Sequence, residues 1–218
     1  SLMFGSIKNC HNVKDFRELA KKKLPSPIFH YIDGAADDEI TYKRNTDAFD
    51  TGPTFAMVFQ KVSQGISIED ASIQVNKALN GNTAGCGPVH RIAPLAAFKN
   101  IPTNKLVEYA RQEAKITHYH PDAGNCSGVM VLLCRYLLEG HSWNESKDLV
   151  SKNEDVKSAW INIQNANLNK GGYVLDVMHS AFHFLDGEDA LNNSLTFAGP
   201  ANYCPVIVGV LQEIIDLR

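Results

Sequence analysis

Residues 118–138, HYHPDAGNCSGVMVLLCRYLL, decide the fold class. From Cys126 to Leu138 this stretch reads as the most buried helix of the chain, apolar almost throughout and free of turn residues after Gly128. A bilayer crossing needs about 20 apolar residues. This run is shorter and broken by Arg135, and the other strongly apolar run, PVIVGVLQEII at 205–215, carries Glu213. No membrane span is expected. The flanking segments also keep a helical period: TFAMVFQKV with Phe55, Val58, Phe59 and Val62 on one face, then the helix carrying Ile68, Ile73, Val75 and Leu79, started by Ser67 with Asp70 as a capping box. Thr103 is expected to cap NKLVEYARQEAKI, and VKSAWINIQNANL, GYVLDVMHSAFHFL and PVIVGVLQEII follow, the last with Pro205 at its first position. No segment alternates over strand length. The expectation is an all-α, multi-helix globule joined by Gly- and Asn-rich loops, NGNTAGCGP at 80–88 being the longest.

The 218 residues, 44% of them hydrophobic, suffice for one substantial core. Lys and Arg number 21 against 24 Asp and Glu, a formal charge of -3 that leaves no electrostatic footprint for nucleic acid. The run Lys21 to Lys23 reads as a solvated helix end. Five scattered cysteines, Cys10, Cys86, Cys126, Cys134 and Cys204, show neither a disulfide framework nor zinc-ligand spacing. An intracellular, reducing compartment such as the cytoplasm is expected, with no basic-then-apolar leader.

Residues 12–50, NVKDFRELAKKKLPSPIFHYIDGAADDEITYKRNTDAFD, resemble the N-terminal segment of the FMN-dependent α-hydroxy-acid dehydrogenases. The matching pattern is an Asp-Phe-Arg helix, Leu-Pro, an aromatic pair and Tyr-Ile-x-Gly-x-Ala-x-Asp-Glu. The resemblance gives Tyr31 a role in holding a substrate carboxylate. The rest of the chain lacks the alternating strands and helices of a (β/α)8 barrel, so no FMN is expected and Tyr31 reads as a packing aromatic.

From residue 51 the chain resembles the ADP-ribosylglycohydrolase family. The resemblance is carried by the stretch ending AGCGPVHRIAPLAAF, by ITHYHPDA, by NKGGYVLDVMHSAFHFL and by SLTFAGPANYCPVIVGVL, in that order. It divides the chain into a 1–50 helical segment and a 51–218 domain. It implies hydrolysis of a glycosidic bond to ADP-ribose with two Mg²⁺ or Mn²⁺ ions, hard cations that need carboxylate oxygens. The family's Gly-Gly-Asp-Ala-Asp-Thr turn here reads Ala198-Gly199-Pro200-Ala201-Asn202-Tyr203, so both carboxylates are gone. Pro200 has no ligand atom, Asn202 has one neutral carbonyl, and Tyr203 puts a ring where a small hydroxyl stood. No metal or other cofactor is expected, and no catalytic residue is assigned; the alternative keeps Mg or Mn on atypical ligands, with Asp37-Asp38-Glu39 as the acidic candidates.

The cleft residues implied by the resemblance are Gly85, Cys86, Gly87, Arg91, His118 and His120. Gly85 and Gly87 suit a backbone-close loop that cradles phosphate or ribose. His118 and His120 line a cleft, pack, or form a ligand pair; His179 and His183 have zinc-like spacing but read as partly buried. Cys86 has no base beside it in sequence and reads as a lost polar contact. Three functions stand open: a non-catalytic structural or assembly protein in a homo-oligomer or larger complex, a metal-independent binder of ADP-ribose or a related nucleotide, and a divalent-metal hydrolase with atypical ligands.

Overall fold

The chain divides into two units, Ser1–Thr51 and Gly52–Arg218. The computed structural model describes Lys22 and residues 52–199 and 201–217. The expectations for Cys10, Tyr31, Asp37 to Glu39, Pro200 and the two N-terminal helical stretches lie outside the described residues, apart from Lys22, which is helical and exposed.

The second unit is all-α, with no strand among the described residues. Its helices are α1 (Pro53–Ser63), α2 (Ile68–Ala78), α3 (Gly87–Arg91), α4 (Ala93–Ala97), α5 (Thr103–Lys115), α6 (Pro121–Leu138), α7 (Trp143–Ser151), α8 (Lys157–Gln164), α9 (Val174–Leu185), α10 (Ala190–Phe197) and α11 (Cys204–Asp216).

Helix α6 is the axis of the unit, buried almost continuously from Ala123 to Leu137 and packed by α3, α4, α5, α7, α8, α9 and α11. The sequence places glycines where α5 approaches. A Cβ on Gly128 would meet Val107 Cγ1 at 3.0 Å and Val156 Cγ1 at 3.2 Å, and one on Gly124 would meet the Arg111 backbone at 3.3 Å. The residue that breaks the apolar run, Arg135, is itself buried and binds backbone. Its Nε donates to Ala96 O at 2.7 Å, Nη2 to Phe98 O at 3.0 Å and Nη1 to Ile101 O at 3.1 Å, which gathers carbonyls from the end of α4 and the turn after it, Phe98 O accepting from Ile101 N as well.

Helices α1 and α2 form a hairpin with its own small cluster of Val58, Ala71 and Val75. Ser67 caps α2 as expected, accepting from Asp70 N at 3.1 Å. Phe59 departs from expectation: it is exposed and stacks on Phe55 with centroids 4.4 Å apart, because a two-helix cluster is too narrow to cover a full apolar stripe. Thr103 is the first helical residue rather than the cap; Pro102 holds that position, and Thr103 Oγ1 lies 3.4 Å from Arg135 Nη1. Pro205 likewise falls second in α11, after Cys204. Helix α8 stops at Gln164, before the expected Leu168, as the Asn-rich 165–169 segment turns its polar groups to Asp176.

Candidate functional site

Four loops distant in sequence meet at one end of α6. Thr83 Oγ1 accepts from His120 N at 3.2 Å, Ala84 O accepts from Val174 N at 2.9 Å, and Gly85 bridges Tyr173. Gly172 lies against Ala201, where an added Cβ would stand 3.0 Å from the carbonyl oxygen. The loops before α3, α6, α9 and α11 are thus fastened to one another.

Of the six expected cleft residues, Gly85 and Gly87 pack on His118, while Arg91 and His120 engage other groups of the fold. The backbone closeness of Gly85 and Gly87 accommodates a side chain: a Cβ at either would stand 3.1 Å from the His118 ring. Arg91 donates from Nε to Glu113 Oε1 at 2.5 Å and from Nη2 to Thr117 Oγ1 at 2.8 Å. The Thr117 hydroxyl also shares a hydrogen bond with His118 Nδ1, 2.8 Å away. Burial, with Arg91 and then His90 adding, holds His118 down at about 4. His120 caps α6, its Nδ1 accepting from Asp122 N at 3.2 Å. Cys86 is buried, and burial pushes its thiol up to about 11, the reverse of an activated nucleophile.

At the 198–204 turn the geometry is specific. Asn202 is 1% exposed, and its side chain points into the protein. Nδ2 donates to Asn169 O at 2.7 Å and Ser180 Oγ at 3.3 Å, while Oδ1 accepts from Cys204 N at 2.9 Å. Its carbonyl oxygen therefore stabilises the start of α11. The half-exposed Tyr203 meets the His90 ring edge-on at 5.8 Å.

The carboxylates nearby are also engaged. Asp176 accepts from Asn167 N at 2.9 Å and Asn169 Nδ2 at 2.6 Å, and Asp122 accepts from the Tyr173 hydroxyl at 2.6 Å. Burial and that bond to Asp122 raise Tyr173 above its usual value. Among the described residues no three His, Cys, Asp or Glu side chains converge in a way that would hold a metal ion. A pair of hard divalent cations needs several anionic oxygens, and the described residues of this turn do not gather them. His179 and His183 make no exception: His179 Nδ1 lies 2.9 Å from Ile163 O, and His183 is exposed rather than partly buried, sitting at the open end of α9.

Sequence reading missed Tyr173, Asp176, Asn169 and His90. Asp176 had a signal, a lone carboxylate among the apolar residues of α9. His90 had none; only the fold brings Tyr203 to its ring and leaves its buried Nε2 without a hydrogen-bond partner among the described residues.

A family model described as ADP-ribosylglycohydrolase matches residues 10–211. Short N-terminal matches link the chain to curated enzymes of another kind. An L-lactate dehydrogenase of Vibrio parahaemolyticus is 64% identical over 33 residues, 15% of this chain and 9% of the enzyme. An (S)-mandelate dehydrogenase of Pseudomonas putida is 44% identical over 41 residues, 19% of this chain and 10% of the enzyme. A peroxisomal (S)-2-hydroxy-acid oxidase of Oryza sativa subsp. indica is 47% identical over 38 residues, 17% of this chain and 10% of the enzyme. The chain thus spans about a tenth of the length of the curated relatives it matches. No solved structure gives a significant match.

Proposed function

The chain belongs to the ADP-ribosylglycohydrolase family, and from that premise we propose that it is a non-catalytic member with a structural or assembly role. The observation that carries the proposal is Asn202. At the turn where the family resemblance puts metal-holding carboxylates, this side chain is buried and bonded to three partners inside the protein. With the glycines packed on His118 and Arg91 paired to Glu113, the cleft residues serve the fold itself.

An assembly role is supported by apolar surface on the α10–α11 side. Leu191 and Leu195 lie one turn apart on α10 and are exposed, the second by 56%; Leu191 Cδ1 lies 3.9 Å from where a Gly209 Cβ would stand, and Val206, one turn before Gly209, is exposed as well. Side chains of this kind in a group suit a partner surface. The test is paired. Release of ADP-ribose from modified arginine or serine with Mg²⁺ or Mn²⁺ is expected to stay at the blank rate, while light scattering shows a species heavier than 24.0 kDa. Metal-dependent turnover would overturn the first half, and a monomer in isolation and in extracts the second.

One observation favours a second reading, a metal-independent binder of ADP-ribose or a related nucleotide. The buried Nε2 of His90 has no hydrogen-bond partner among the described residues, and the half-exposed Tyr203 ring lies beside it, 5.8 Å between centroids. A rise in melting temperature with ADP-ribose in the presence of EDTA would support this reading over the first.

A further inference from the structure

Away from that site, the end of α9, the 186–189 connection and α10 enclose a groove of about 660 Å³, within the size range of small-molecule sites. Its floor is aromatic, with the rings of Phe184 and Phe197 5.3 Å apart, and exposed Leu168 extends it. Its amide and hydroxyl side chains are turned to backbone: Asn193 Nδ2 donates to Glu188 O at 2.8 Å and Thr196 Oγ1 to Asn192 O at 2.9 Å. Asp186 on the rim holds the Trp143 indole N–H at 2.7 Å and the Lys147 ammonium at 2.5 Å. Glu188 differs, since its carboxylate has no ion pair or hydrogen bond among the described residues.

The groove thus offers ring surface, the His183 imidazole beside Phe184 included, and two carboxylates, of which only that of Glu188 is without a partner among the described residues, and no lysine or arginine lines it. An anion would meet like charge there. A cation with an apolar body would meet a counter-charge and the negative faces of two rings, the chemistry that recognises alkylated ammonium groups. The molecule already shows the second half of that contact, because the Lys170 ammonium stands 5.8 Å from the centroid of the Phe197 ring. We propose that this groove binds a small organic cation with an alkylated ammonium head on an apolar body, Glu188 supplying the counter-charge and Phe184 and Phe197 the aromatic faces. The proposal is independent of the non-catalytic reading.

The test is isothermal titration of the full chain with benzyltrimethylammonium, and with uncharged benzyl alcohol as the comparison. All the substitutions lie at exposed side chains, so folding is not at stake. Saturable binding of the cation is expected, with benzyl alcohol giving none. Glu188→Gln should weaken it roughly threefold or more. Glu69→Gln, on the distant hairpin, should leave it unchanged. Absence of saturable heat, equal binding of benzyl alcohol, or an equal loss from Glu188→Gln and Glu69→Gln would each overturn the proposal.

Discussion

Replacing Asn202 by Asp restores a carboxylate at the turn, and it is expected to damage the protein rather than repair a site. In the parent, Nδ2 donates 2.7 Å to Asn169 O and 3.3 Å to Ser180 Oγ at a position 1% exposed. The introduced carboxylate would set one oxygen against the Asn169 carbonyl oxygen while keeping the other for Cys204 N. Two donated hydrogen bonds are lost, at about 1 kcal/mol each, and an unsatisfied buried carbonyl adds about 1–3 kcal/mol. Burying the charge adds several more. Asn202→Ala, which loses these two bonds and the acceptor for Cys204 N but adds no charge, should cost about 3–5 kcal/mol, and Asn202→Asp should cost more than that at neutral pH. The sign with pH is distinctive. Burial and the facing carbonyl raise the pKa of the introduced carboxyl in the folded state above its unfolded value of about 3.9. Its extra penalty is full above the folded pKa and fades as pH falls, because the protonated acid can donate to Asn169 O. Urea unfolding of both variants at neutral and mildly acidic pH measures this. An Asn202→Asp protein as stable as the parent, with a melting temperature that rises on adding Mn²⁺, would mean that the turn tolerates a charge and can still recruit a cation.

His90 and His118, both held down to about 4 from 6.5 mainly by burial, are neutral in the folded state. Between those values the unfolded chain binds more protons, so stability is expected to fall as pH drops through that window, by on the order of 3 kcal/mol per histidine. His118→Phe should flatten the curve measured by chemical denaturation, and an unchanged slope would contradict the assignment. Arg135→Met removes the donors to three backbone carbonyls and should cost about 3–5 kcal/mol in urea unfolding, whereas a loss under about 1 kcal/mol would mean that other groups satisfy those carbonyls. Gly128→Val adds side-chain atoms where even a Cβ stands 3.0 Å from Val107 and 3.2 Å from Val156. It should lower stability by about 2 kcal/mol or more, while a neutral effect would show that α5 moves away freely.

The helical architecture was readable because burial period and capping residues are local. The α6 run, Ser67 before α2 and the final apolar helix all carry their own signals. Helix starts slipped where tertiary partners intervene, as at Thr103, whose hydroxyl faces Arg135 from α6. The candidate site was readable as a set of positions, and Gly85, His118 and Asn202 do lie on the loops that converge, with Arg91 at the end of the short helix α3. Their partners were not. Nothing local says that the ring filling the space beside Gly85 and Gly87 comes from His118, or that Asn202 turns inward to Asn169 and Ser180. Arg135 misled in the other direction, since a charge inside an apolar run reads as an interruption until the fold supplies three carbonyls for its guanidinium.

Whether the 198–203 turn has lost its metal is decided by thermal unfolding of the chain with and without ADP-ribose, each in EDTA and in Mg²⁺ or Mn²⁺. A ligand at 100 times its dissociation constant adds roughly 2.7 kcal/mol, readily visible as a higher melting temperature. The same melting temperature is expected with metal as with EDTA, whether or not nucleotide is present. A shift that requires Mg²⁺ or Mn²⁺ would show the opposite, and would return the turn to the holding of metal.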